Sequence, residues 1–330
     1  MKAGKVSINE LKKLVLDKIE TRNPETLVGP MVGEDSAVLD CGEFVMVVST
    51  DPITGVEAGM GSLAVNIACN DVAANGARPI GIQQVLLIPP EISEEELVAI
   101  VEDINQAAQE LGVDILGGHT EVTEVVNKPL VSCTALGKAG QDEYVTSAGA
   151  EPGDEIIVTK WTGLEGTSIL ATDFYDQLLE AGVEESLLQA AQKLSTDISV
   201  IPEGMIGAEL GVNAMHDVTE GGLYGSLYEL AEAAGVGFKI KEAEIPVHDV
   251  TQAVAEALDL NPYQLIGSGM MILTTPLGGD LAAKLEQKGI KSTIIGTITA
   301  DKRIIEQPSG SRQLTSAPED ELWRILAEQS

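Results

Sequence analysis

The residues of this chain best able to do chemistry are carboxylates and carboxamides set in apolar surroundings. The stretch 63–77 is almost all small or apolar, as a buried helix would be, yet Asn66, Asn70 and Asp71 sit in its middle. Residues four apart share a helix face, so Asn66 and Asn70 align, with Asp71 one step round. A buried carboxylate without a partner takes up a proton or destabilises the fold, whereas one facing a cation or a set of donors is tolerated. Three other aspartates have related settings: Asp35 and Asp51 flank apolar strands, and Asp217 precedes the pair Gly221-Gly222 at an expected helix start. Magnesium takes oxygen ligands from one or two carboxylates together with substrate phosphates, so carboxylates converging from separate segments suit a Mg2+-held phosphate. Taken singly, each aspartate reads equally well as a helix cap or a solvated loop residue.

Two glycine pairs could bring backbone N–H groups close to an anion: Gly117-Gly118-His119-Thr120 and Glu220-Gly221-Gly222. A tight turn explains either pair as well. His119 is one of three histidines, with His216 and His248, and its place after a glycine pair at a strand end leaves it free to meet a metal or phosphate. No Walker A, G-x-G-x-x-G or G-x-S-x-G sequence occurs, so the common nucleotide and hydrolase templates are absent.

The formal charge of −32 disfavours nucleic acid and anionic membrane surfaces. It repels a free polyphosphate too, so phosphate binding would need divalent cations or clustered N–H donors. Three widely spaced cysteines, Cys41, Cys69 and Cys133, suggest neither a disulfide framework nor a zinc ribbon. With no apolar run of roughly 20 residues and no hydrophobic signal core in residues 1–9, a cytoplasmic location is expected.

The elements that must position these residues are legible in outline. Ser7 and Glu10 form a capping box before an amphipathic helix. A strand over 44–49 delivers Thr50-Asp51-Pro52, a second covers 80–88, and a helix from Ser93 ends near Gly112. A short strand over 113–116 delivers the Gly117 loop, and another strand spans 129–137. Strands alternating with helices over short joins predict an α/β layer arrangement. Polar turn clusters at 140–154 divide a first domain, 1–146, from a second, 147–330. In the second, a long helical region over 173–208, a helix opened by the Asp217 motif, and alternating strands and helices predict an α+β domain of split β-α-β character.

In order, Gly33-Glu-Asp-Ser-Ala-Val, Ser49-Thr-Asp, Leu63-Ala-Val-Asn, Asn70-Asp-Val-Ala, Gly76-Ala-x-Pro79, Gly117-Gly-His-Thr, Pro152-Gly-Asp and Asp217-Val-Thr-Glu-Gly-Gly-Leu resemble the AIR synthase (PurM-like) superfamily. The resemblance spans residues 5–300. Through Gly235-Val-Gly-Phe-Lys-Ile and Glu244-Ile-Pro246-Val it is nearest the hydrogenase-maturation carbamoyl dehydratase (HypE) branch. It implies a homodimer whose first domains pair into a shared β-barrel built from the strands near 44–49, 80–88 and 129–137. It also implies ATP in a long cleft, with Asp35, Asp51, Asp71 and Asp217 as metal and phosphate ligands. Asn66, Asn70 and Thr50 would support them, and Gly117, Gly118, His119 and Thr120 would lie along the phosphates.

The branch ends in Pro-Arg-x-Cys, whereas this chain ends Leu326-Ala-Glu-Gln-Ser330, so no thiol nucleophile is expected there. The expected function is ATP- and Mg2+-dependent phosphorylation of a small oxygen-bearing substrate, with Asp71, Asp217 and His119 as catalytic residues. The alternative is a non-catalytic nucleotide-binding scaffold or a partner in a metallocentre maturation complex. A blander reading has the acids holding Ca2+ or Mg2+ structurally.

Overall fold

The computed structural model describes residues 4–54 and 59–328, so the last two residues of the expected tail lie outside it. The first half runs α1 (Ile8–Leu14), β1 (Thr26–Val28), β2 (Ala37–Asp40), β3 (Phe44–Ile53), α2 (Met60–Ala74), β4 (Arg78–Ile88), α3 (Glu94–Leu111), β5 (Asp114–Val122) and β6 (Leu130–Gly140). Among the described residues its strands form one sheet in the order β1-β2-β3-β6-β4-β5, with only β4 and β5 parallel. Because β6 pairs antiparallel with both β3 and β4, the β3-α2-β4 crossover is split around it.

Local chemistry sets these boundaries. Ser93 and Glu96 cap α3 reciprocally, three glutamates fill its first turn, and Gly112 ends it at φ 68°. Ser7 caps α1 through the Glu10 N–H. In β3 the period of two buries Val45, Val47, Ser49 and Ile53 against α2 and turns Thr50 outward. The helix α2, buried along nearly its whole length, covers this inner face. Among the described residues nothing covers the outer face: Ile80 and Val85 of β4 are 42% and 39% exposed, and every residue of β5 is exposed.

The second half contains β7 (Glu155–Thr159), α4 (Leu164–Asp173), α5 (Tyr175–Glu180), α6 (Glu185–Gln192), α7 (Ile201–Leu210), β8 (Ala214–Asp217) and α8 (Gly222–Ala234). It continues with β9 (Gly237–Lys241), α9 (Asp249–Ala257), β10 (Met271–Thr275), α10 (Gly278–Gln287), β11 (Ser292–Thr299), β12 (Arg303–Gln307), β13 (Gly310–Gln313) and α11 (Glu321–Glu328). Its sheet order is β13-β12-β9-β11-β7-β10-β8, and β10 splits the β7–β8 crossover as β6 splits the first.

The halves are joined through α2. Asn70 Nδ2 donates to Ile198 O at 2.7 Å while its Oδ1 accepts from Val200 N at 2.8 Å. Gly204 of α7 lies so close that a Cβ there would stand 2.2 Å from Ala73 O, so the helices meet backbone to backbone.

The structure departs from the sequence expectations in four places. The strand predicted over 44–49 continues to Ile53, so Asp51 and Pro52 lie within it. The proline is tolerated because β2 stops pairing at Val48, leaving no partner on that side. The short strand and Gly117 loop are one strand, β5, with a register shift against β4 beside the glycines. The long helical region is broken into α5, α6 and α7 around Gly182 and Pro202, and Met215 to Asp217 are strand rather than helix start.

Candidate active site

A cleft of about 450 Å³ lies between the halves. Asp35, Asp51 and Asp71 line it from the first domain, Glu165, Thr219, Glu220 and Ser268 from the second. Leu322, Trp323 and Leu326 of α11 roof it together with Gly4 and Lys5. The two chain ends meet there on one oxygen: Glu220 Oε1 accepts from Lys5 N and from Trp323 Nε1, both at 2.7 Å.

Ser49 organises the aspartates. Its Oγ lies 2.6 Å from Asp71 Oδ2, 3.3 Å from Asp51 Oδ2 and 3.0 Å from the Asp35 carbonyl. Ser49 and Asp51 are two apart on β3 and share a face, and the packing of α2 on β3 brings Asp71 to them. Asp217, at the end of β8, lies beneath: it is 1% exposed and neither carboxylate oxygen has a hydrogen-bond partner. Burial pushes the Asp71 carboxyl well above the usual range, and Asp51, Asp217 and Asp35 push it further. Burial and then Asp35 push Asp217 up to about 7, against the pull of His216.

His216 lies beside this group, with Nδ1 3.2 Å from Asp35 Oδ2 and Nε2 3.5 Å from Glu229 Oε2. Burial lowers its pKa, but Asp35 and Glu229 outweigh it and hold the imidazole at about 9, hence charged near neutrality. Glu229 in turn bonds Lys5 Nζ at 3.1 Å.

This donor set fits magnesium. It offers hard carboxylate oxygens, two of them buried and unpaired, in mutual repulsion that a divalent cation relieves. Among the described residues no three Asp, Glu, His or Cys side chains already close around a point. An open arrangement accords with an ion that keeps waters and shares its shell with phosphates.

The structure brings Asp35, Asp51, Asp71 and Asp217 together and leaves the other expected site residues outside. Asn70 spends both ends of its carboxamide on the second domain, so it is a clamp rather than a ligand holder. Asn66 donates to Ser62 O at 2.9 Å on its own helix. Thr50 points to the outer face, 2.8 Å from Thr134 Oγ1, because it alternates with Ser49 and Asp51. Gly117, Gly118, His119 and Thr120 lie on the exposed edge strand and do not line the cleft of their own chain. His119 is 3.3 Å from Glu121. Packing accounts for Gly118, since a Cβ there would meet Gln84 O at 1.9 Å, but nothing lies within 4 Å of one at Gly117. In the second glycine pair, the Gly221 N–H is taken by Asp320 Oδ2 at 2.6 Å and is no anion cradle.

Residues 33–139 match the family described as AIR synthase related protein, N-terminal domain, and residues 151–307 match its C-terminal domain. A carbamoyl dehydratase HypE of Azotobacter vinelandii is 30% identical, covering 81% of this chain and 78% of that protein. The chain belongs to the AIR synthase-related family.

A hydrogenase expression/formation protein of Methanocaldococcus jannaschii is similar to this AIR synthase-related chain at 28% identity, covering 93% of it and 95% of the relative. Among solved structures, the fold matches HypE in a HypE–HypF complex with TM-score 0.76 at 22% identity, covering 93% and 99% of the two chains. It matches HypE in complex with ATP with TM-score 0.67 at 21% identity, covering 97% of each. Among the described residues no helix is long and apolar enough to cross a membrane.

Ser49 and His216 stand buried beside the aspartates, and Lys5 and Glu165 line the cleft, although none of the four was expected as a site residue. Ser49 was findable: it stands two before Asp51 in a strand, so any ligand of one is within reach of the other. Lys5 and Trp323 reach the cleft only through the tertiary fold, and no local pattern marks them.

Proposed function

We propose that this AIR synthase-related chain is a HypE-like, ATP- and Mg2+-dependent protein that activates an oxygen of a small substrate by phosphorylation, in the service of metallocentre maturation. The observation that carries this reading is the buried convergence of Asp71 and Asp217 from different domains, with both Asp217 oxygens unpaired. Such charge is costly unless something positive meets it. Asp35, Asp51, Asp71 and Asp217 would hold Mg2+, which when bound offsets the charge of a triphosphate that the chain's own field repels.

The remaining contributions belong to the chain. Ser49 fixes the orientation of Asp71 and Asp51. The charged His216 holds Asp35 in place and is steadied from behind by Glu229. Lys5 and Trp323, tied to Glu220, close the cleft against water. Catalysis in such a site is mainly positioning and electrostatic clamping.

The reading includes a homodimer formed through the outer face of the first sheet, where Ile80, Val85 and the whole of β5 stand exposed. In such a pair, Gly117, Gly118, His119 and Thr120 of one copy serve the cleft of the other, which accounts for a histidine lying outside its own cleft. Binding of Mg2+ with the non-hydrolysable analogue AMPPCP, measured by calorimetry beside ATP turnover, tests the proposal. Tight binding without turnover in the presence of candidate acceptors favours the scaffold alternative, and no metal-dependent binding at all defeats both.

A further inference from the structure

The second-domain wall of the cleft holds two polar groups that the chain itself leaves unsatisfied. Glu165 opens α4 directly after the turn at Gly163, is 5% exposed, and its Oε2 has no hydrogen-bond partner. Ser268 is 1% exposed, and its Oγ, though near enough to Glu165 to lower that carboxyl's pKa, makes no well-formed hydrogen bond. Both residues line the cleft. Native folds leave few buried acceptors and hydroxyls unpaired, so two side by side on a cavity wall point to something that fills it.

Among the described residues no cation acts on Glu165. Burial is the main influence on its carboxyl, pushing it up; the Ser268 side chain and then the Ser268 backbone N–H oppose it, and Glu220 adds to the rise. The nearest cleft cation, Lys5, has its ammonium engaged by Glu229, and Glu220 is engaged by both chain ends. The surface around the pair is apolar and aromatic: Ile169, Ile266, Leu322 and Trp323. The occupant that satisfies all of this brings N–H donors to Glu165 Oε2, accepts or donates at Ser268 Oγ, and presents an apolar body to the wall. In a protein of charge −32 it is attracted if positive.

We propose that Glu165 and Ser268 form the specificity subsite of the cleft, taking the cationic N–H-bearing end, an ammonium or amidinium, of a molecule that is otherwise apolar. That this molecule is the phosphoryl acceptor rests on the function proposed above; the subsite itself does not.

Benzamidine and its neutral isostere benzamide probe this directly, by calorimetry on the full chain with and without Mg2+ and AMPPCP. The wild type binds benzamidine at least about tenfold more tightly than benzamide. Glu165→Gln, which keeps the shape of the side chain, loses that preference, and Ser268→Ala weakens benzamidine by a few-fold. Both variants keep the wild-type circular dichroism spectrum, so the loss is not one of folding. Equal affinity of the wild type for the two probes overturns the proposal without any variant. So does undiminished benzamidine binding in folded Glu165→Gln, which leaves water as the partner of Glu165. If the wild type discriminates between the probes yet binds no Mg2+ with AMPPCP, the subsite stands and the phosphorylation reading falls.

Discussion

The two faces of the first sheet differ more than their sequences suggest. On the inner face Ser49 and Asp51 of β3 meet Asp71 of α2 in a buried, strained gathering of like charges. On the outer face their neighbour Thr50 reaches only Thr134, and the strand β5 with His119 faces outward along its length. One face is buried and electrostatically overloaded. The other is open and mixed in character. Motif residues adjacent in sequence are thus divided between a pocket and an exposed surface.

The sharpest way to break this contrast is at the inner face. Asp71→Asn lowers ATP turnover by about 100-fold or more, the scale of losing one preorganised electrostatic partner. It also raises the melting temperature measured without divalent cations, because it removes one of the repelling charges, and it abolishes further stabilisation by Mg2+. A variant less stable than wild type without metal contradicts the account of an overloaded pocket.

At the outer face, Val85→Glu places a charge among the exposed positions of β4. It converts the dimer to single copies by light scattering at micromolar concentration, with circular dichroism unchanged. A wild type that is itself monomeric sinks the proposed pairing. Mixing His119→Ala with Asp71→Ala chains sharpens the division further. If each cleft takes its histidine from the other copy, half the dimers are mixed and one of their two clefts is whole, so activity recovers to about a quarter of wild type. No recovery from an exchanging mixture denies His119 a role across the pair.

Smaller effects belong to the supports. Burial pushes the Glu229 carboxyl up, but Lys5 and His216 prevail and hold it at about 2, below its ordinary value. The stability it contributes is therefore present above about pH 4.3, the usual glutamate value, and is lost as pH falls towards 2. Glu229→Gln flattens that acid limb in urea titrations, and an unchanged limb rules out the linkage. Ser49→Ala, which loosens Asp71 without removing it, weakens metal-dependent ATP binding by about tenfold.

Much of the fold was legible because periodicity and caps are local. The Ser93-x-x-Glu96 box and Gly112 mark α3 at both ends, and the alternation in β3 announces which side chains face inward. The four aspartates were legible as a set because each is a carboxylate against apolar neighbours. The partners of Asn70 were not legible, because a buried carboxamide looks the same in sequence whether it meets a ligand or a backbone carbonyl 128 positions away. The Gly117 segment was misplaced because two glycines that suggest a loop also permit a strand bulge and the close approach of Gln84. Glu165 and Ser268 carry no sequence signal, since only the cavity shows them buried together in its wall.

The carboxamide of Asn70 has a mechanical consequence. Because it bolts the second domain to the helical turn that also carries Asp71, the halves cannot swing apart about a hinge without dragging that carboxylate away from Ser49. Of the segments that meet on Glu220, α11 is anchored in the core by Leu322 and Ile325, whereas Lys5 is held at the surface by Glu220 and Glu229. Amide hydrogen exchange around Lys5 then runs fast and responds to bound ligand, while α2 exchanges only when the whole protein unfolds.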